Sequence, residues 1–191
     1  LEIFKNRKML FITKIGGIML HGETVVLTDM LDCRERRSKK QEEYRNKYQT
    51  VIISFCMNIP GPIKTNSDIT KVFQSGVQDI FAFLQSSNIK ILESVEYNEK
   101  TGNELILALD CTDSKFIKNA MTYIEETHPV GRLFDIDVIS PDGVKMSRNV
   151  FRKCFICDCQ AQDCASIRKH SVSEMQEYID SKIKEYLKLN K

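Results

Sequence analysis

The chain has 191 residues, of which 42% are hydrophobic and 28% are charged, and its formal net charge is +2. Such values are typical of one ordinary globular domain that is long enough to bury a core. The small net charge argues against non-specific binding to nucleic acid. The cysteines number 7, which is odd. No convincing secretory signal is present, so we expect free thiols in a reducing cytoplasm.

Residues 1–20 combine several cations with an apolar run from Met9 to Leu20. Lys14 interrupts this run, no small-residue cleavage site follows it, and it is too short to cross a bilayer. We therefore treat residues 1–20 as an extension of uncertain order and residues 21–191 as a single domain. Neither a membrane nor a nucleic acid is an expected partner.

The rest of the chain divides into predicted helices and strands separated by turn residues. Residues 24–48 are rich in strong helix formers and contain neither glycine nor proline, which predicts the first helix. The later predicted elements are a strand over Thr50–Asn58, a helix from Asn66 or Ser67 to about Gln85, strands over Ile89–Tyr97 and Glu104–Asp110, a helix from Asp113 or Ser114 to Glu126, a strand over Phe134–Val138, a short strand near Val144–Met146 and a helix from about Ser173 to Leu189.

The central order is β-α-β-β-α-β, with a tight hairpin at residues 98–102. This order predicts an α+β, ferredoxin-like sheet, preceded by a helix and followed by a cysteine-rich loop and a last helix. Right-handed crossovers would place the first and last strands side by side in the middle of the sheet. The last strand would then lie beside Ser54–Asn58 and near the turn from Pro60 to Lys64.

Apolar and acidic residues alternate along the last strand of the predicted sheet. Because side chains two apart on a strand share a face at roughly 6.5–7 Å, Asp135 and Asp137 should project together while Phe134, Ile136 and Val138 point into the core. Two adjacent carboxylates repel each other, and a divalent cation relieves the repulsion. Hard oxygen ligands favour Mg²⁺, which often also holds a substrate phosphate. The alternative is an exposed strand with two ordinary acids.

Cations flank this acidic pair on both sides. Arg132 precedes it, and Lys145, Arg148, Arg152 and Lys153 follow it. Arginine and lysine neutralise the phosphate oxygens that a metal leaves free. The neighbourhood therefore favours a site for a metal and a polyphosphate.

Four metal-ligand residue types lie close together after the sheet. Cys154, Cys157, Cys164 and His170 have spacings that could complete a tetrahedral zinc site, with Cys159 as a substitute ligand. Two alternatives stay open. The cysteines can act as small buried apolar residues, or His170 can form a phosphate-binding patch with its neighbouring cations.

Several motifs together resemble those of the apo-citrate lyase phosphoribosyl-dephospho-CoA transferases, the CitX family, from about Val25 to Glu177. The motifs are Leu31-Asp32-x-Arg34-Glu35-x-Arg37-x-x-x-Gln41, Ile53-Ser54-Phe55-x-Met57-Asn58-Ile59-Pro60-Gly61-Pro62-Ile63-Lys64, Thr101-Gly102, Glu125-x-x-His128-Pro129-x-Gly131-Arg132-Leu133-Phe134-Asp135-Ile136-Asp137-Val138, Ser147-Arg148, Arg152-Lys153-Cys154-x-x-Cys157-x-x-x-Ala161-x-x-Cys164-Ala165 and Arg168-x-His170-Ser171. Cys159 looks additional to the pattern, and Ile167 stands where a polar or basic residue is expected.

The resemblance implies a cytoplasmic nucleotidyltransferase. Enzymes of this family attach a CoA-derived prosthetic group to a serine of the citrate lyase acyl carrier protein, the gamma subunit. The donor is triphosphoribosyl-dephospho-CoA and the second product is pyrophosphate. A pyrophosphokinase-like enzyme for a small molecule and a noncatalytic, zinc-stabilised binding module are the competing hypotheses.

The resemblance also implies roles for particular residues. Asp135 and Asp137 would hold Mg²⁺ and act in catalysis together with Arg132. The substrate-binding candidates are Arg34, Arg37, Lys64, Arg148, Arg152, Arg168 and His170. Arg34 and Arg37 have the alternative of belonging to a solvated helix face. Glu104 and Asp110 are loose candidates for a third carboxylate, because the sequence does not show which face they occupy.

Overall fold

The computed structural model describes residues 20–148, 151–157 and 159–190. The predicted extension therefore lies outside the described residues, except for Leu20, which is buried in the main core. The elements are α1 (Leu27–Tyr48), β1 (Ile52–Met57), α2 (Ser67–Ser86), β2 (Ile91–Glu99), β3 (Gly102–Leu109), α3 (Ser114–Thr127), a short 3₁₀ helix (Gly131–Leu133), β4 (Phe134–Ile139), α4 (Ala161–Ser166) and α5 (Val172–Leu189).

The described strands form one antiparallel sheet in the order β2-β3-β1-β4. The expectation of a mixed α and β fold is confirmed, and so is the pairing of the first strand with the last. Of these two strands β1 lies in the interior, beside β3, whereas β4 occupies an edge. The predicted short strand after β4 is reduced to a single bridge between Ile139 and Lys145, and the sequence prediction missed α4.

One face of the sheet carries the main core, beneath α2, α3 and α5. The ring of Phe55 on β1 stacks on Phe73 of α2 at 4.7 Å and meets Phe134 of β4 edge-on at 5.1 Å. Gly76 allows this close approach, because a Cβ atom there would lie 2.7 Å from Cζ of Phe55. The apolar side of β4 is thus fixed firmly against the helices.

The other face of the sheet is covered by α1. Near the C-terminal end of this helix, Tyr44 packs on Ile52, Ile106 and Ala108 in a second, smaller apolar cluster. One turn earlier the contact becomes polar, since Gln41 Nε2 donates to Ser54 Oγ at 2.8 Å. The polar half of this face is the one that contains the acidic pair of β4.

Side-chain caps fix the starts of the core helices. Asn66 Oδ1 accepts from the backbone N–H groups of Asp68 and Ile69, at 3.0 and 2.9 Å. Asp113 accepts from Phe116 N at 2.9 Å in the same way. These oxygens satisfy backbone donors that the first turn leaves unpaired, as the sequence predicts. None of the described helices combines the length and the apolar content needed to cross a bilayer.

Candidate active site

Asp135 and Asp137 project from the same face of β4. Their neighbours Phe134, Ile136 and Val138 are buried in the core, whereas the two aspartate side chains are 44% and 26% exposed. The register places Asp135 opposite Cys56 and Asp137 opposite Ser54. The alternation of apolar and acidic residues in the sequence therefore matches the two faces of this strand. The carboxylates lie on the face of the sheet that α1 covers only in part.

Each of the two carboxylates meets a cation from the segment that follows β4. Arg152 Nη1 lies 3.4 Å from Asp135 Oδ1, and Lys145 Nζ lies 2.6 Å from Asp137 Oδ2. The Lys145 side chain is 65% exposed, so a ligand can displace it at little cost. The pair of carboxylates is thus accessible and lined with positive charge.

A buried carboxylate from α3 organises the arginines beside the acidic pair. Glu125, whose side chain is 2% exposed, accepts from Ile136 N at 2.7 Å and from Arg152 Nη2 at 2.9 Å. It also forms an ion pair with Arg148. Burial, followed by the positive charge of Arg152, lowers the pKa of Arg148 to about 10. Glu125 thus holds two guanidinium groups beside the acidic pair, where they can meet an anionic ligand.

Side chains and backbone cap the free edge of β4. Lys118 Nζ donates to the Ile136 carbonyl at 3.0 Å, and Met146 N donates to the Val138 carbonyl at 2.8 Å. Arg152 donates to the carbonyl of Phe134. Burial, then repulsion from Arg148, lowers the pKa of Lys118. An edge strand whose carbonyls are satisfied in this way is held in place and protected from pairing with another chain.

Glu104 lies in the same row of the sheet as Asp135. Cys56 of β1 faces Glu104 on one side and Asp135 on the other, so the three side chains share a face. Glu104 is 2% exposed and accepts from Arg36 at 3.2 Å and from Arg37 at 2.8 Å. The other candidate for a third carboxylate, Asp110, is exposed beyond the end of β3.

Arg37 is held between the helix and the sheet. Its Nη1 atom lies 3.1 Å from Cys56 Sγ and 2.8 Å from Glu104 Oε1. Burial raises the pKa of Cys56 to about 12, with Arg37 opposing the shift and Asp135 adding to it. Cys56 is therefore a neutral thiol. Arg37, Cys56 and Glu104 form a polar layer between α1 and the sheet, so Arg37 does not belong to a fully solvated helix face.

The remaining predicted site residues on this part of the chain, Lys64, Arg34 and Arg132, make other contacts. Lys64 Nζ donates to the Ile59 carbonyl at 2.7 Å. Burial and then the charge of exposed Arg34 lower the pKa of Lys64. Arg132 lies over the ring of Phe155 at 5.9 Å, and burial lowers its pKa, with repulsion from Arg152 in addition. The contacts that the structure describes for Lys64 and Arg132 do not include Asp135 or Asp137.

The predicted zinc ligands do come together. The ligand atoms of Cys154, Cys157, Cys164 and His170 all lie within 4.8 Å of one another, so this cluster could hold a metal ion. His170 points its Nε2 atom at Cys157 Sγ, 3.3 Å away, and so faces the thiols. Cys159 is outside the group. Arg168, just after α4, is exposed and has a φ angle of 50°.

Sequence reasoning missed Glu125 and underrated Glu104. Both are single acidic residues within helix or strand patterns, and their importance depends on the neighbours that the fold brings to them. Sheet register alone puts Glu104 in line with Asp135. The motif Glu125-x-x-His128 was the only sequence signal for Glu125.

Comparison with known proteins gives one consistent result. The family model described as "Apo-citrate lyase phosphoribosyl-dephospho-CoA transferase" matches residues 25–186. A Vibrio cholerae serotype O1 protein named as a probable apo-citrate lyase phosphoribosyl-dephospho-CoA transferase is 32% identical over 167 residues, covering 85% of this chain and 94% of its own length. The Streptococcus pyogenes serotype M3 protein of that name is 37% identical, covering 81% and 83%. The Citrobacter koseri transferase is 30% identical, covering 79% and 84%.

Proposed function

The chain belongs to the apo-citrate lyase phosphoribosyl-dephospho-CoA transferase family, and from that premise we propose how its residues carry out the transfer. It is an enzyme, a transferase that acts on apo-citrate lyase by attaching the prosthetic group to the acyl carrier protein. In the proposed reaction the donor is triphosphoribosyl-dephospho-CoA. A carrier serine oxygen bonds to the donor's reacting phosphorus as the bond to pyrophosphate breaks, and the hydroxyl proton of the serine is released to the solvent.

The observation that carries this proposal is the pair of carboxylates on one face of β4 beside a group of arginines. Asp135 and Asp137 offer hard oxygen atoms that are partly exposed, which is the donor set that fits Mg²⁺. When bound there, Mg²⁺ would orient the donor phosphates and stabilise the developing charge on pyrophosphate.

The cations that meet the two carboxylates would move to the substrate. Lys145 and Arg152 each form an ion pair with one aspartate. Phosphate oxygens attract both side chains more strongly once the carboxylates have another partner. Arg152 keeps its bond to Glu125 during this exchange, so its guanidinium stays close to the reacting phosphorus. Arg148, on the same carboxylate, would add charge without needing to touch the substrate.

A second group of cations would receive the distal part of the donor or the carrier protein. Arg34 is exposed on α1. It is near enough to Lys64, in the turn after β1, for its charge to lower the pKa of that lysine. Two such cations suit the remaining phosphates of a CoA-like molecule or acidic residues of the carrier. Arg37, in contrast, forms an ion pair with Glu104. We propose that it positions Glu104 and Cys56 and does not bind the substrate.

We also infer that the sheet belongs to the ferredoxin-like class. The strand order β2-β3-β1-β4, the antiparallel pairings and the β2–β3 hairpin support this inference. In such a fold the central strand β1 carries Ser54 and Cys56 directly beside the acidic pair. Gln41 and Arg37 of α1 contact these two side chains, so the donor phosphates would approach the acidic pair from the side of β4 that faces Lys145 and Arg152.

One incubation tests the proposed function. The protein is mixed with apo-citrate lyase carrier subunit, triphosphoribosyl-dephospho-CoA and Mg²⁺, and the carrier is weighed by mass spectrometry while pyrophosphate is measured. We expect the carrier to gain the mass of the phosphoribosyl-dephospho-CoA group, with one pyrophosphate released for each group transferred. A carrier of unchanged mass would contradict the proposal. Release of AMP from ATP without the carrier would instead favour a pyrophosphokinase-like enzyme.

A further inference from the structure

We infer that Cys154, Cys157, Cys164 and His170 form a closed, structural zinc site that holds together the segment between β4 and α5. All four ligands of a tetrahedral ion come from the protein, so no position is left for a water molecule or a substrate. Such saturation is typical of structural rather than catalytic zinc. The inference concerns a site separate from the acidic pair and does not depend on the transferase mechanism.

The spacing of the ligand atoms fits one tetrahedral ion. Bond lengths of about 2.3 Å to sulfur and 2.0–2.1 Å to nitrogen put neighbouring ligands roughly 3.5–3.8 Å apart. Cys157 Sγ lies 3.5 Å from Cys164 Sγ and 3.3 Å from His170 Nε2. A disulfide would require about 2.05 Å between the sulfur atoms, and each of these cysteines is a free thiol.

The backbone around the cluster is arranged to present these ligands. Cys154 N donates to the Cys159 carbonyl at 2.8 Å, and Ala161 N donates to the Arg152 carbonyl at 2.8 Å, which closes a small loop around Cys157. Cys164 lies on α4. His170 immediately precedes Ser171, whose capping box begins α5. The ligands thus come from three consecutive pieces of chain that backbone hydrogen bonds hold next to one another.

Apolar burial in this segment is small, although Phe155 is partly buried against the main core. Among the described residues from 151 to 171, only Cys164 is buried. Phe151 and Ile167 are 76% and 70% exposed. A segment with so small a core needs another source of stability, and a four-ligand zinc ion supplies one. The alternative of cysteines acting as small buried apolar residues fails for Cys154 and Cys157, which are only half-buried.

The charge near the cluster also suits zinc. Three thiolates and a neutral histidine around Zn²⁺ leave a net charge of about −1 on the site. Lys169 Nζ lies 3.6 Å from Cys157 Sγ and would offset that charge. Because the Arg152 carbonyl accepts from Ala161 in the same loop, the ion would also fix the backbone of the arginine that holds Asp135.

Metal analysis of matched variants tests the site. The full chain is produced with zinc, passed through a weak chelating resin and analysed by mass spectrometry for metals. We expect about one zinc per chain for the wild type and for Cys159→Ser, and less than about a tenth of that for Cys157→Ser and Cys164→Ser. A wild-type chain without zinc, or full occupancy in Cys157→Ser, would overturn the proposal.

Hydrogen exchange on the wild-type chain covers the case in which a variant fails to fold. Removal of zinc with a strong chelator should speed amide exchange by about tenfold or more in residues 151–171, while β1 and β4 stay protected. Unchanged exchange in residues 151–171 after the zinc has gone would show that the ion does not hold this segment. Neither measurement uses the transfer reaction, so a failed transfer assay would leave this result intact.

Discussion

Replacing Glu125 by glutamine is expected to destabilise the protein strongly, because this carboxylate holds two arginines and a strand. It accepts from Ile136 N, pairs with Arg148 and Arg152, and has a side chain that is 2% exposed. Glutamine keeps one carbonyl oxygen for Ile136 N but removes the charge that compensates both guanidinium groups. Breaking a buried ion pair costs about 3–5 kcal/mol.

The partial exposure of the arginines sets the expected size of the effect. Arg148 and Arg152 are 16% and 21% exposed, so water can partly replace the lost partner. We therefore expect Glu125→Gln to lower the free energy of unfolding by about 2–4 kcal/mol. With a urea m-value of about 2 kcal/mol/M, the unfolding midpoint should fall by about 1–2 M.

The neighbouring residue Glu126 provides a matched control for urea unfolding. Its side chain is 54% exposed, and its contact with Arg148 is long, at 3.9 Å. The same change there, Glu126→Gln, should alter stability by no more than about 0.5 kcal/mol. Equal midpoints for Glu125→Gln and Glu126→Gln would refute the idea that Glu125 organises the arginine group.

Two other substitutions test the polar layer and the core by the same unfolding measurement. Glu104→Gln should cost about 1.5–3 kcal/mol, because the buried carboxylate accepts from Arg36 and Arg37. Glu99→Gln, whose side chain is 47% exposed, should cost less than about 1 kcal/mol, and a reversed order would contradict the assignment. Gly76→Ala should cost about 1–3 kcal/mol by overpacking, since its Cβ would lie 2.7 Å from the Phe55 ring. An unchanged midpoint would mean that the aromatic cluster shifts freely.

Local patterns were sufficient to predict much of the fold. Period-two alternation placed Asp135 and Asp137 on one face of β4, and side-chain oxygens at Asn66 and Asp113 marked the true helix starts. These features depend on residues close in sequence, so the sequence alone determines them. The short helix α4 was missed because it has barely one turn and no long apolar stripe.

The organisation of the site was harder to predict because it depends on contacts between distant segments. Glu104 shares a row with Asp135 only through the register of three strands. Glu125 meets Arg148 and Arg152 because α3 lies along the free edge of β4. The sequence gives residue types at these positions but not the strand register or the packing of helix on strand.

The most direct test of the central claim compares Asp137→Asn with Asp110→Asn in a single-turnover transfer assay over a range of Mg²⁺ concentrations. Loss of a metal ligand that stabilises transition-state charge by about 3–5 kcal/mol predicts a rate that falls by roughly 10²–10⁴-fold. Asp110 is exposed and lies outside the site, so Asp110→Asn should keep the wild-type rate. Wild-type turnover by Asp137→Asn at every Mg²⁺ concentration would contradict the role assigned to the acidic pair.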